Sequence, residues 1–336
     1  MILLNKAEPL KIEFLEKTGD SKIEKARRAA EAHRRARYNV QSIIKPGISL
    51  QKICETIEES TKILLEGEKN FGIGFPTGVS LNDCAAHFSV NPGDEDIILK
   101  DTDVLKIDFG THVDGIIMDS AFTVCFDEKK ENLLKASKEA TEKGIEMIGV
   151  DACVSDIGAA VNEVMSSYEV EIDGKTHRIK PVANLNGHSI GPYKIHAGIT
   201  IPQVRNGDKT RMTDDTFYAL ETFATTGRGH VVERGECSHY MAESFPKIRL
   251  KNAKNLEIYE TIKNKIGTLP FSPRNIKYYT GEKSRPNPIV KFLASSGVLE
   301  PYPPLVDSKG SYVAQFEHTV YLGNGTKEIL TRGDDY

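Results

Sequence analysis

Residues 104–125 read VLKIDFGTHVDGIIMDSAFTVC, two apolar runs around a short polar stretch, and each run carries one aspartate in its middle. Branched and aromatic residues favour extended backbone and Asp114-Gly115 is a strong turn pair, so the stretch predicts a β-hairpin. With residues 112–115 as a four-residue loop, Thr111 pairs with Ile116, Phe109 with Met118, and Asp108 falls directly opposite Asp119. Leu105, Ile107, Phe109, Ile116, Met118 and Phe122 then form the core face. The opposed carboxylates on the other face repel unless something positive sits between them. For an isolated pair, a slipped register that keeps the aspartates apart is the simpler reading. Only further acids aimed at the same place tip the balance.

Two more acids are placed in the same way. Glu221 lies inside TFYALETF and Glu317 inside AQFEHTV, each flanked by aromatic and aliphatic residues at strand spacing. A carboxylate within a buried strand is costly unless it is paired or bound to a metal. For one such residue an edge strand or a salt bridge is an equal explanation. For four in separate strand-like segments, convergence on a shared cation is the common one. Histidine supplies the nitrogen. His188 sits in NGHSIG, which reads as a glycine-bounded turn presenting its ring outward, with His196 in KIHAG, His87 closing NDCAAH and His239 in CSHYM. One imidazole added to four carboxylates gives a five-residue set able to hold two ions if some carboxylates bridge. Oxygen-rich coordination with one nitrogen suits Mn²⁺, Fe²⁺ or Co²⁺ better than a structural zinc.

The rest of the chain sets limits. Its 336 residues can bury a sizeable core in one large domain or two small ones. A hydrophobic content of 39%, a charged content of 27% and a net charge of −4 fit a soluble globular protein with no overall pull toward nucleic acid or membrane. The N-terminal MILLNKAEPLKIEF is too briefly apolar for a signal peptide or a membrane span, and five cysteines without CxxC spacing argue against a disulfide framework or a zinc–cysteine site, so the expected compartment is the cytoplasm. Helices are expected from Asp20 or Ser21 to about Ile44, and from Ser49 to Gly67. Residues 21–37 carry seven Lys or Arg against two Glu; a solvated face is the first reading, and contact with RNA or a ribosome the minority one. Two helices before strands recur at 130–169, a hint of duplication. HRIKPVANL reads as a strand, residues 242–305 as a lysine- and proline-rich helical insertion, and SYVAQFEHTVYLG as a strand completing the interrupted sheet.

KIDFGTHVDGIIMD, NGHSIGPYKIHAG, YALETF, ECSHYM and AQFEHT, in this order and spacing, resemble the methionine aminopeptidases, metal-dependent enzymes of the pita-bread fold. The insertion, the following EPYPPLVDSKGSY and the ending RGDDY resemble the family's type 2 branch, with the likeness running from about residue 15 onward. The resemblance implies an α+β, pita-bread (creatinase/aminopeptidase) fold with pseudo-twofold αβ halves. It would form a single catalytic domain over 1–336, with a helical insertion subdomain at 242–305. Eukaryotic type 2 enzymes often carry a lysine-rich N-terminal extension, whereas the sequence here starts close to the expected catalytic core; that departure puts in doubt any partner such an extension would recruit.

By the same resemblance, Asp108, Asp119, His188, Glu221 and Glu317 would hold two divalent ions (Mn, Co, Fe or Zn). Asp119 and Glu317 would bridge, Asp108 would complete the first ion's shell, and His188 with Glu221 the second's. The ions would activate a shared water for attack on the scissile carbonyl, with Glu221 as general base and then acid. His87 and His196 would position the substrate amine and carbonyl or stabilise the oxyanion. His87 also matches the residue that fumagillin-type epoxides alkylate. Phe75, Ile195, His239 and Tyr302 match the pocket for the first side chain, and a methionine sulfur packs well against aromatic edges. The implied activity is removal of the initiator methionine from nascent chains with a small second residue, by a monomer. A prolidase or proline aminopeptidase usually carries a separate N-terminal domain. A catalytically inactive pita-bread relative that binds RNA or the ribosome would have lost ligands, and all five positions are filled here.

Overall fold

The computed structural model describes residues 13, 15–16, 19–281 and 283–336. Residues 1–12, on which most of the reading of the N-terminus rests, lie outside the described residues. Helix α1 (Lys22–Ile43) starts where Ser21 and Glu24 form a reciprocal capping box. Ala26, Ala29, Ala30 and Ala36 are fully buried, so small side chains let this helix lie close against the hairpin strands. Helix α2 (Leu50–Leu64) is capped by Ser49 and buries Ile53, Ile57 and Leu64; it ends one turn before Gly67. The first sheet follows in the order β1 (Phe71–Leu81), β2 (Val104–Val113), β3 (Ile116–Cys125).

The order then repeats. Helices α3 (Glu131–Met147) and α4 (Val154–Ser166) precede β4 (Asn186–Ile190), β5 (Thr200–Pro202), β6 (Thr216–Thr225), β7 (His239–Met241), β8 (Glu300–Tyr302), β9 (Val313–Gly323) and β10 (Thr326–Ile329). The larger sheet runs β10-β9-β6-β4-β5. HRIKPVANL does not form one strand: Lys175–Arg178 pairs with Glu169–Ile172, while Lys180–Pro181 pairs with β6 and the Val182 N–H donates to the Phe223 carbonyl of that strand at 2.9 Å.

The hairpin register differs from the expected one. Val113 pairs with Ile116 across a two-residue turn, with Asp114 at φ 51° and Gly115 at φ 78°. Positive φ at both central residues is the turn whose twist matches the strands, so Asp114-Gly115 is the whole loop rather than half of it. Asp108 therefore lies opposite Ala121, and Asp119 opposite Gly110. The shift is by two positions, which keeps both aspartates on one face.

The two sheets meet along β3 and β9 through hydroxyl groups. The N–H of Asp119 donates to Thr319 Oγ1 at 2.8 Å, and that hydroxyl donates back to the Asp119 carbonyl at 2.7 Å. Thr123 does the same for Gln315, at 2.8 and 2.6 Å, and Ser120 Oγ donates to the Glu317 carbonyl at 2.6 Å. The seam has a local twofold: Thr123 corresponds to Thr319 and Asp119 to Gln315. By the ladder registers Ala121 then corresponds to Glu317, and their partners Asp108 and Glu221 to each other.

One other expectation changes in part. The basic stretch in α1 is a solvated face only in part: Arg37 is fully buried against Asp335 and Arg28 is buried against Glu68, while the more exposed Lys22, Lys25, Arg27, Arg34 and Arg35 each meet a carboxylate. Between β7 and β8 lie α5 (Ala253–Thr261), a π-helical turn at Ile262–Ile266, α6 (Pro273–Thr280) and α7 (Asn287–Ser295). Pro273 and Pro288 sit in first turns, where a missing N–H costs nothing, so these prolines mark helix starts. Arg274 anchors this region to α2 through Glu58 at 2.7 Å.

Thr319→Val deprives two buried main-chain groups of their partner, at roughly 1–3 kcal/mol each. Urea unfolding of the chelated protein is expected to show a loss of about 2–4 kcal/mol, with Thr319→Ser close to the parent. An unchanged midpoint for Thr319→Val would mean that the seam does not hold the sheets together.

Candidate metal centre

The four strand acids converge. Asp108 on β2, Asp119 on β3, Glu221 on β6 and Glu317 on β9 project into the wedge between the sheets, and Glu221 and Glu317 are directly paired across β6 and β9. Their oxygens and a His188 nitrogen form two groups whose atoms lie within 4.8 Å of one another: Asp119, His188 and Glu317, and Asp108, Glu221 and Glu317. Glu317 is common to both. Glu221 sits with Asp108 here, whereas the resemblance pairs it with His188; the link is Gln315, whose Nε2 donates to Asp108 Oδ2 at 3.1 Å and to Glu221 Oε2 at 3.0 Å.

His188 is not on a turn. It lies in β4, paired with Ala219 and Thr200, and its ring is buried with Nε2 3.5 Å from Asp119 Oδ2. The glycine before it serves strand packing, since a Cβ on Gly187 would come within 2.6 Å of the Ala219 carbonyl oxygen.

Electrostatics sets the demand for cations. Burial raises the Asp108 carboxyl to about 7. Burial first, and then the neighbouring carboxylates, push Asp119, Glu221 and Glu317 well above the usual range. Burial and nearby His196 bring His188 down to about 3, so its ring is neutral with a lone pair to offer. Asp108 Oδ1, both carboxylate oxygens of Glu317 and His188 Nδ1 are buried without a hydrogen-bond partner. Four clustered carboxyls, a neutral imidazole and orphaned oxygens fit a pair of divalent ions.

The cleft above this cluster encloses about 820 Å³, its open mouth included, and its lining takes in all eleven residues singled out from the sequence. His87 stands at φ 62°, a left-handed conformation rare for a side chain of its size and of the kind found at functional sites. Burial and His196 lower its imidazole to about 4. His196 stands exposed, edge-on to the His188 ring at 4.3 Å. His239 and Tyr302 face each other across β7 and β8, with the His87 ring 5.6 Å from His239 and 6.0 Å from Tyr302. Phe75 occupies space that only a glycine leaves open: a Cβ on Gly110 would lie 2.3 Å from its ring. Leu185, Phe223 and Met241 extend the apolar wall.

Sequence reasoning missed Gln315 and Gly110. Both carried a signal, because each stands two residues from a strand acid and so shares its face.

The raised carboxyl values make the metal-free protein more stable as pH falls. The folded state binds protons there that the unfolded chain does not. From about pH 8 to about 6.5 the several raised carboxyls outweigh Lys106, whose ammonium burial brings down to about 7 and which acts in the opposite sense; below that the depressed histidines His87, His188 and His239 also oppose the carboxyls, because the unfolded chain then takes up their protons. Calorimetry of chelated protein is expected to show Tm rising across that window as pH drops, and Mn²⁺ to raise Tm most at the alkaline end. A chelated Tm that falls over the same window would contradict the electrostatic picture.

Residues 24–323 match the family model "Metallopeptidase family M24". A relative named methionine aminopeptidase 2, from Encephalitozoon hellem, is 56% identical over 100% of this chain and 99% of its own length. Among solved structures, a thermophilic Arx1 superposes with a TM-score of 0.78 at 16% identity, covering 94% of this chain and 91% of its own. A methionine aminopeptidase from Thermotoga maritima superposes with a TM-score of 0.63 at 20% identity, covering 95% and 100%. At those identities the structural likenesses speak for the pita-bread fold, and the family match and the close relative for descent. The chain belongs to metallopeptidase family M24, on its methionine aminopeptidase 2 branch.

Proposed function

We infer that this chain is a dinuclear metal-dependent aminopeptidase that removes the N-terminal methionine from nascent proteins with a small second residue. The observation that carries this reading is the pair of ligand groups sharing Glu317 at the floor of a cleft walled by Phe75, Ile195, His239 and Tyr302. Asp108, Asp119, His188, Glu221 and Glu317 would hold the ions, chosen from Mn, Co, Fe and Zn. Such ions supply Lewis acidity, lowering the pKa of bound water and polarising a carbonyl.

The chain's own groups do the rest. Glu221, with its carboxyl raised by burial, can take a proton at its carboxylate and return it to a leaving amine. His87 and His196 line the same cleft, where their rings can orient the substrate's amine and carbonyl or donate to oxygen as charge develops on it. The Phe75 and Tyr302 rings offer edges to a thioether. We take the protein to be a cytoplasmic monomer. Ribosome contact through residues 21–37 would be an addition to this activity, and it would draw on side chains already engaged in ion pairs.

The test is methionine release from Met-Ala-Ser by chelated protein re-supplied with Mn²⁺, Co²⁺, Fe²⁺ or Zn²⁺. Glu317→Ala is expected to abolish both metal uptake and release, and His87→Ala to keep uptake while losing about 10²–10³ in kcat. No release with any of the metals, from folded protein, would overturn the assignment. Gly110→Ala forces Phe75 into the first-residue pocket; overpacking of roughly 1–3 kcal/mol predicts about a tenfold or greater fall in kcat/KM with metal uptake intact. Unaltered kcat/KM would remove Phe75 from the pocket's recognition role.

A further inference from the structure

The segment Arg332–Tyr336, noted above only as a family signature, runs behind the cleft on the far side of the hairpin. Its last two side chains fill a closed polar socket. Asp335 is buried and accepts from Arg37 Nε at 2.6 Å, Arg37 Nη2 at 2.7 Å and Gln41 Nε2 at 2.7 Å. The Tyr336 ring stacks on His318 at 4.8 Å, with the Arg37 guanidinium 4.4 Å from its centroid. Its hydroxyl lies 2.9 Å from Ser120 Oγ and 2.9 Å from the Ala121 carbonyl, both on β3.

Counting protons fixes the direction of this chain of bonds. Ser120 has one hydroxyl proton, committed to the Glu317 carbonyl at 2.6 Å. Toward Ser120 the Tyr336 hydroxyl is therefore the donor, its one proton shared between the Ser120 lone pair and the Ala121 carbonyl, while Arg37 Nη1 offers a donor to both hydroxyls, 3.4 Å from Tyr336 and 3.5 Å from Ser120. Arg37, Tyr336, Ser120 and the Glu317 main chain thus form one directed relay, each donor polarising the next. It ends on the residue that belongs to both ligand groups.

We propose that Tyr336, acting through Ser120, is a positioning residue of the metal centre: its hydroxyl fixes the seam between β3 and β9 so that Asp119 and Glu317 meet at ion-binding distance. The inference rests on the metal-centre reading given above. The Tyr336 hydroxyl itself touches neither ligand side chain nor substrate; it sets the strand spacing on which both ligand groups depend.

The experiment is calorimetric titration of Mn²⁺ into chelated parent, Tyr336→Phe, Ser120→Ala and the double variant, with the metal-free Tm of each measured alongside. Each single variant is expected to weaken the less tightly held ion by about tenfold, the low end of what outer partners of metal ligands contribute. The double variant is expected to be no weaker than the worse single one, because both break the same relay. Should Tyr336→Phe not fold, Ser120→Ala tests the same link from inside β3. Unchanged Mn²⁺ affinity with a lowered metal-free Tm would reduce Tyr336 to a stability role and overturn the proposal. So would fully additive losses. No Mn²⁺ uptake by the parent would instead remove the metal-centre reading on which the proposal stands.

Discussion

Everything at the centre of this molecule depends on how β3 and β9 are joined. Strands in one sheet lie about 4.8 Å apart because main-chain groups bond directly. Here threonine and serine hydroxyls stand between the two main chains, satisfying N–H and C=O groups at a wider spacing. The wedge thus opened holds side chains from both sheets, and four of them are carboxyls. Direct pairing would close the wedge, and a seam without hydroxyls would leave buried main-chain groups without partners. The ligand cluster and the joint between the halves are one construction.

Much of this was legible in the sequence. The strand acids stood out because a carboxyl in an apolar run has few explanations, and four of them share one. What pattern could not fix was the partner of each strand. Placing Asp108 opposite Asp119 took the Asp114-Gly115 turn as part of a longer loop, and the positive φ of both residues makes it the whole loop. Since the slip is even, the face survived and the pairing did not. His188 looked like a turn residue because glycine marks both turns and close strand approach, and only the neighbouring Ala219 carbonyl separates the two.

Charge was the least legible quantity. Arg34 and Arg35 pair with Glu31 inside α1, but four of the seven basic residues there, Lys22, Lys25, Arg27 and Arg37, find their partners Asp215, Asp114, Glu328 and Asp335 about 90 to 300 positions away. No local window contains both members of such a pair. Gln315 is a related case. As a neutral residue beside an acid it drew no attention, although the local twofold makes it the counterpart of Asp119 and its amide ties two carboxylates together.

That twofold bears on how the chain is held together as a polymer. The first half brings Asp108 and Asp119, the second His188, Glu221 and Glu317, and each ligand group draws on both. A cation in either group would be a crosslink between halves whose seam residues, Asp119 and Thr319, stand 200 positions apart. Long loops gain most from such a clip, since the entropy of closing them is what it removes from the unfolded chain. Ions held by these five side chains would thus close a loop of the chain as well as occupy the floor of the cleft.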